Sequence, residues 1–162
     1  MSEKTPTPIV LNVAFSPTPL PNFLNLNLSA ESAENALLSI AERAAELQLV
    51  EDSWGGALVI REAEFATGLP TAIPVAIPHT DSSHVRADGF GFFRLSSPVK
   101  FVEMGSLDTL LDVQLIFPLL VTNPADQVDL LQAVIELVQQ PGKLEALMNA
   151  KLESEVAELL GT

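Results

Sequence analysis

In "REAEFATGLPTAIPVAIPHTDSSHV", residues 61–85, a helical spacing of apolar residues stops and does not return. Prolines at 70, 74 and 78 block regular helix and impose loop, short strand and loop in turn. Pro78 fixes its own backbone and holds Ile77 extended, so "PVAIP" reads as a stiff strand with His79 at its end. The chain has 2 histidines in 162 residues, His79 and His84, and both fall in this segment. Three readings compete for them: loop histidines bonded to neighbours, metal ligands, or a histidine that does chemistry.

Upstream, Ser29 reads as an N-cap, and Leu37, Ile40, Ala41, Ala44 and Leu47 follow at spacings of three and four, one apolar helix stripe. A second helix is expected after Ser53, carrying Ala57, Leu58, Ile60 and Arg61, with Gly55 and Gly56 weakening its first turn. Downstream, "GFGFFRL" (89–95) reads as a strand and "PVKF" (98–101) as a separate short extended piece. "VQLIFPLL" (113–120) is apolar on both faces, as in a central buried strand, with Pro118 near its end.

Val128, Leu131, Val134, Ile135 and Val138 then form a helix stripe that stops at Pro141-Gly142. Short helices at 143–149 and 154–160 complete the chain, with Gly161 as a C-cap. Strands interleaved with helices predict a layered α/β domain over residues 23–162. Residues 1–22 repeat proline with small polar residues and read as an appended arm, with a possible short strand at "IVLNVAF".

The size is that of one domain able to bury a core. Hydrophobic residues make up 48% of the chain, which sets it apart from disordered sequences. No apolar run reaches the roughly 18 residues of a membrane span, and no signal peptide is apparent, so a cytoplasmic location is expected. A net charge of -13 would repel nucleic acid and anionic lipid. With 0 Cys there is no disulfide framework, thiolate metal site or cysteine nucleophile.

A metal site would need more ligands than His79, Asp81 and His84, which also lack helical ligand spacing. A serine hydrolase lacks G-x-S-x-G, and Asp81, Ser82 and Ser83 are too close in sequence to imply a triad. Phosphoryl chemistry fits better. A neutral histidine is a nucleophile near pH 7, provided one ring nitrogen is anchored and the other free, with a donor for the phosphoryl oxygens. Arg61, at the end of the second helix, could be that donor, or simply a salt-bridge partner of Glu62 or Glu64.

The residues Arg61-Glu62, Thr67-Gly68 and Val75-Ala76-Ile77-Pro78-His79 resemble the IIA components of the bacterial phosphoenolpyruvate-dependent sugar phosphotransferase system. The class is the fructose/mannitol one (type 2). Thr80, Asp81, His84 and Val85 are most similar to its galactitol-type branch. The likeness continues through residues 97–105, 113–119, 126–140 and 149–160, and covers roughly residues 25–160.

The resemblance implies a three-layer α/β sandwich with a mixed central sheet. It implies a phosphocarrier: His79 accepts a phosphoryl group from phospho-HPr and passes it to a cysteine of a separate IIB component, which serves a membrane IIC. Arg61 would stabilise the group, and no cofactor or metal is implied. An alternative is a regulatory module that binds its target according to phosphorylation state.

Gln127 stands where mannitol and fructose members carry a second active-site histidine, and it can hydrogen-bond a phosphoryl oxygen but cannot be cationic. Thr80, where many members have a smaller residue, could contact the phosphate or cap the local turn. Thr67 and His84 complete the candidate site, His84 either as a neighbour of the active histidine or as a structural residue. Phe65 and Leu69 are candidates for docking surface or core.

Overall fold

"GFGFF" and "VQLIF" are apolar on both faces, and each becomes a strand with neighbours on both sides. In the computed structural model, which describes residues 17–161, the first lies in β4 (Gly89–Val102) and the second in β5 (Leu110–Ile116) up to its last residue, Phe117, which follows the strand. β1 (Pro19–Leu28), β2 (Gly68–Leu69), β3 (Val75–Ala76) and β6 (Leu119–Leu120) complete the sheet. Its order is β1-β4-β5-β3-β2, with β6 pairing β4. Pairs β1/β4 and β3/β5 are parallel, whereas β4/β5, β2/β3 and β4/β6 are antiparallel, so the sheet is mixed.

Both faces are covered. Helices α1 (Ala33–Glu46) and α2 (Trp54–Glu64) pack Leu37, Ile40, Trp54 and Leu58 onto Phe93, Leu95, Phe101 and Val113. On the other face α3 (Gln127–Val138), α4 (Lys143–Asn149) and α5 (Glu153–Gly161) pack Leu130, Val134, Leu147 and Val156 onto Val75, Ile77, Phe90 and Phe92. Each buried phenylalanine contributes about 1.5–3 kcal/mol, which is why β4 needs helices on both sides. The result is the three-layer α/β sandwich.

Several local expectations are corrected. Ser32, not Ser29, caps α1, its hydroxyl accepting the Asn35 amide at 3.0 Å. β1 begins at Pro19, inside the stretch read as arm. It is an edge strand, where a proline leaves one side of the backbone unpaired without breaking the ladder. The "IVLNVAF" reading lies outside the described residues. "GFGFFRL" and "PVKF" are one strand, not two, joined through a register shift between Arg94 and Val99 that accommodates Pro98.

Gly55 is helical and useful, because a Cβ there would come within 2.9 Å of Ala41 Cβ where α2 closes on α1. The buried side of α3 is Leu130, Val134, Leu137 and Val138, while Val128 is 62% exposed. That helix is apolar round most of its circumference, so periodicity alone set its phase about one residue off. Gly161 is the last residue of α5 rather than a cap beyond it. No helix among the described residues is long and apolar enough to cross a membrane.

Candidate functional site

The segment from Val75 to Pro78 is held on both sides. On one flank it pairs in parallel with β5, and the ladder continues as the Phe117 amide donates to Ala76 O at 2.9 Å and the Leu119 amide to Pro78 O at 2.9 Å. On the other flank β2 pairs Gly68 with Ala76 and Leu69 with Val75. Gly68 is required there, since a Cβ would meet Val102 O at 2.6 Å. A proline without an N–H is tolerated at 78 because the ladder bond it makes uses its carbonyl. The strand therefore delivers His79 from a rigid base.

His79 Nδ1 lies 2.9 Å from Ile77 O. A carbonyl can only accept, so Nδ1 carries the proton, and in the neutral ring Nε2 is left with a bare lone pair. Burial pushes the His79 pKa below its ordinary value of 6.5; the Ile77 bond opposes that shift and the charge of Arg61 adds to it. The ring is thus neutral at pH 7, with one nitrogen anchored and the other available to a nucleophile's chemistry.

Arg61, in the last turn of α2, makes no salt bridge to Glu62 or Glu64 among the described residues. Its Nε is buried without a hydrogen-bond partner there, and its guanidinium stacks over Phe65 with Cζ 4.6 Å from the ring centroid. Phe65 is 61% exposed, whereas Leu69 packs partly buried against the core. Arg61, Thr80, Asp81, His84, Ser53 and Ile60 line one open cleft, beside the strand end that carries His79.

The remaining candidates are engaged by the protein itself. Thr80 is 5% exposed and its hydroxyl donates to Asp81 O at 2.7 Å, while the turn that follows is capped by Asp81, whose carboxylate accepts the Ser83 amide at 3.2 Å. Gln127, the first residue of α3, donates from Nε2 to Thr80 O at 3.3 Å and so ties that helix to the residue after His79. Thr67, 3% exposed, bonds Glu62 and the Ile77 amide rather than facing the cleft. His84 Nδ1 lies 2.6 Å from Ser53 Oγ, and its Nε2 is 3.7 Å from Asp81 Oδ1. The structure thus gathers Arg61, Thr80 and His84 on the cleft and places Thr67 behind the strand.

Sequence reasoning gave Glu62 no part beyond the arginine-glutamate pair and a possible salt bridge. Its carboxylate instead accepts two bonds from Thr67, and burial raises its pKa above 4.5 against those two bonds. Only a contact across 5 residues of sequence gives it that role, and no spacing rule marks one. Among the described residues no three His, Asp or Glu side chains gather as a cation site.

The family model for "Phosphoenolpyruvate-dependent sugar phosphotransferase system, EIIA 2" matches residues 21–162. The galactitol-specific EIIA component of Escherichia coli strain K12 is 31% identical over 127 residues, which cover 78% of this chain and 84% of that protein. The crystal structure of IIA mannitol from Escherichia coli superposes with a TM-score of 0.71 at 21% identity, covering 86% of this chain and 96% of that one. The nitrogen regulatory protein IIA-Ntr from Neisseria meningitidis superposes with a TM-score of 0.69 at 23% identity, covering 93% and 99%. The enzyme IIA of the mannitol system, solved in complex with phosphorylated enzyme IIB from Escherichia coli, matches with a TM-score of 0.73 at 19% identity, covering 88% and 96%.

Proposed function

The chain belongs to the EIIA 2 family of the phosphoenolpyruvate-dependent sugar phosphotransferase system, and on that premise we propose that His79 is its phosphoryl carrier. The observation that carries this reading is the anchored ring: Nδ1 is committed to Ile77 O, which leaves Nε2 as the nucleophile. Arg61, its Nε unpartnered beside that ring, is the cation for the equatorial oxygens of the group in transfer.

Phospho-HPr is the donor. The Nε2 lone pair attacks phosphorus in line, the bond from phosphorus to the donor's histidine breaks, and its electron pair returns to that ring. Phosphorylated His79 keeps its Nδ1 proton, and the bond to Ile77 O strengthens as the ring gains cationic character. In the second step a cysteine thiolate of a separate IIB component attacks the phosphorus, and the Nε2–P electrons return to His79. With 0 Cys, this chain cannot supply that acceptor itself. The galactitol-specific relative supports a sugar alcohol as the eventual cargo of the associated IIC.

Incubation with phosphoenolpyruvate, enzyme I and HPr tests the reading. The chain is expected to take up one phosphoryl group and to discharge it rapidly onto a galactitol-type IIB. His79→Ala is expected to take up none; labelling of that variant equal to wild type would end the proposal. A label that stays on His79 in the presence of IIB would point instead to a regulatory use.

A further inference from the structure

Glu62 and Thr67 do not line the cleft, yet they connect to the histidine through Ile77. Glu62 Oε2 accepts the Thr67 amide at 2.8 Å, and Glu62 Oε1 lies 2.8 Å from Thr67 Oγ1. A carboxylate accepts on both oxygens, so the hydroxyl proton points at Glu62 and the hydroxyl lone pairs face away from it. One of them receives the Ile77 amide at 3.1 Å. The other end of that residue, Ile77 O, receives His79 Nδ1 at 2.9 Å.

Strand pairing does not need the side chain for this. The Ile77 amide also lies 3.3 Å from Thr67 O, a backbone acceptor that would satisfy it alone. The hydroxyl therefore adds a shorter, directional bond at the residue whose carbonyl orients the imidazole. A buried carboxylate and hydroxyl are a costly way to fill a gap that two apolar side chains could fill. Here every polar atom of the pair is matched along one continuous path.

We propose that Glu62 and Thr67 are positioning residues, setting the Ile77 carbonyl and through it holding His79 in the tautomer with Nδ1 protonated and Nε2 bare. The consequence for rate rests on the phosphocarrier reading; the consequence for tautomer does not.

Three variants of the full chain, labelled with 15N in the histidine rings, test the proposal. The ring nitrogen shifts report the tautomer of each histidine, and His84 serves as the internal reference. In wild type, His79 is expected to show protonated Nδ1 alone. Thr67→Val keeps the volume and removes the hydroxyl. It should mix the two tautomers of His79, leave His84 unchanged, and slow uptake from phospho-HPr about tenfold, without changing the HPr concentration that gives half the maximal rate. Thr67→Ser restores the hydroxyl and should recover both readouts.

Glu62→Gln should act like Thr67→Val. Its amide must donate to Thr67 Oγ1 while accepting from the Thr67 amide, which takes the acceptor away from the hydroxyl proton and no longer fixes a hydroxyl lone pair on the Ile77 amide. If Thr67→Val does not fold, Glu62→Gln decides on the same readouts. Wild-type tautomer and rate in the deciding variant would overturn the proposal. Failure of the wild type to take up any phosphoryl group would defeat the phosphocarrier reading instead, while the tautomer shifts would still be read.

Discussion

Arg61 and Arg94 are both partly buried, and the protein uses their donors in opposite ways. Arg94, on β4, donates from Nε to Leu26 O at 3.0 Å and from NH1 to Leu147 O, Met148 O and Ala150 O at 2.7, 3.2 and 2.8 Å. It thereby satisfies the carbonyls that α4 leaves free at its C-terminus and ties that end to β1. Arg61 leaves Nε without a partner among the described residues and rests against an exposed ring. One guanidinium is bonded through Nε and NH1 to four backbone carbonyls and works as a fastener. The other keeps Nε open and carries a charge that is felt at His79, the state expected of a group awaiting an oxyanion.

Exchanging the two effects would break the comparison. Arg61→Met is expected to slow phosphoryl uptake about 10²–10³-fold, as loss of one transition-state donor does, with stability within about 0.5 kcal/mol of wild type. Stopped transfer assays and urea melts on the same preparation read both. Arg94→Met should do the reverse: a loss of about 3 kcal/mol in the melt, with the rate per folded molecule unchanged. A large rate effect at Arg94, or a large stability effect at Arg61, would erase the distinction.

The pH dependence sharpens it. His79 is held below 6.5 by burial first, with the Ile77 bond opposing and Arg61 adding to the shift. Between 6.5 and that lowered value the unfolded chain binds a proton that the folded chain does not, so stability falls as pH falls through this window. Over the same window the folded imidazole stays neutral. Uptake should therefore stay flat from about pH 7.5 down past 6.5 before it declines. Arg61→Met removes a charge that lowers the His79 pKa, so its acidic limb should move upward; Arg94→Met should leave the limb in place.

Smaller effects are expected around the cleft. Phe65→Ala removes the ring under Arg61 and should slow uptake a few-fold, in line with about 0.5–1 kcal/mol for an exposed cation–π contact. His84→Ala should change uptake by less than about threefold, because its Nδ1 is bonded to Ser53 and its Nε2 lies toward Asp81. A drop as large as that of Arg61→Met would move His84 into the reacting group.

The sequence was most legible where backbone restriction and composition agree. Prolines 74 and 78 around an apolar triplet marked the strand end that carries the histidine, and two-faced apolar runs marked the central strands. What it hid were features decided by tertiary partners. Pro19 and Pro21 look like a linker until β4 supplies a neighbour on one side only. Pro98 looks like a break until the register shift in β4 absorbs it. Gln127, considered as a residue able to hydrogen-bond a phosphoryl oxygen, also donates to the Thr80 carbonyl, and Glu62, considered as one of two alternative salt-bridge partners of Arg61, turns to Thr67. In both cases the side chain had a local alternative that only the folded chain reveals.

The central claim is that the phosphoryl group resides on Nε2 of His79. Heteronuclear NMR of the phosphorylated, 15N-histidine-labelled chain reads this directly, because phosphorus couples to the ring nitrogen that carries it. One phosphate on Nε2 of His79, with Nδ1 still protonated, is the predicted result. A phosphate on Nδ1 of His79, or on His84, would contradict the account.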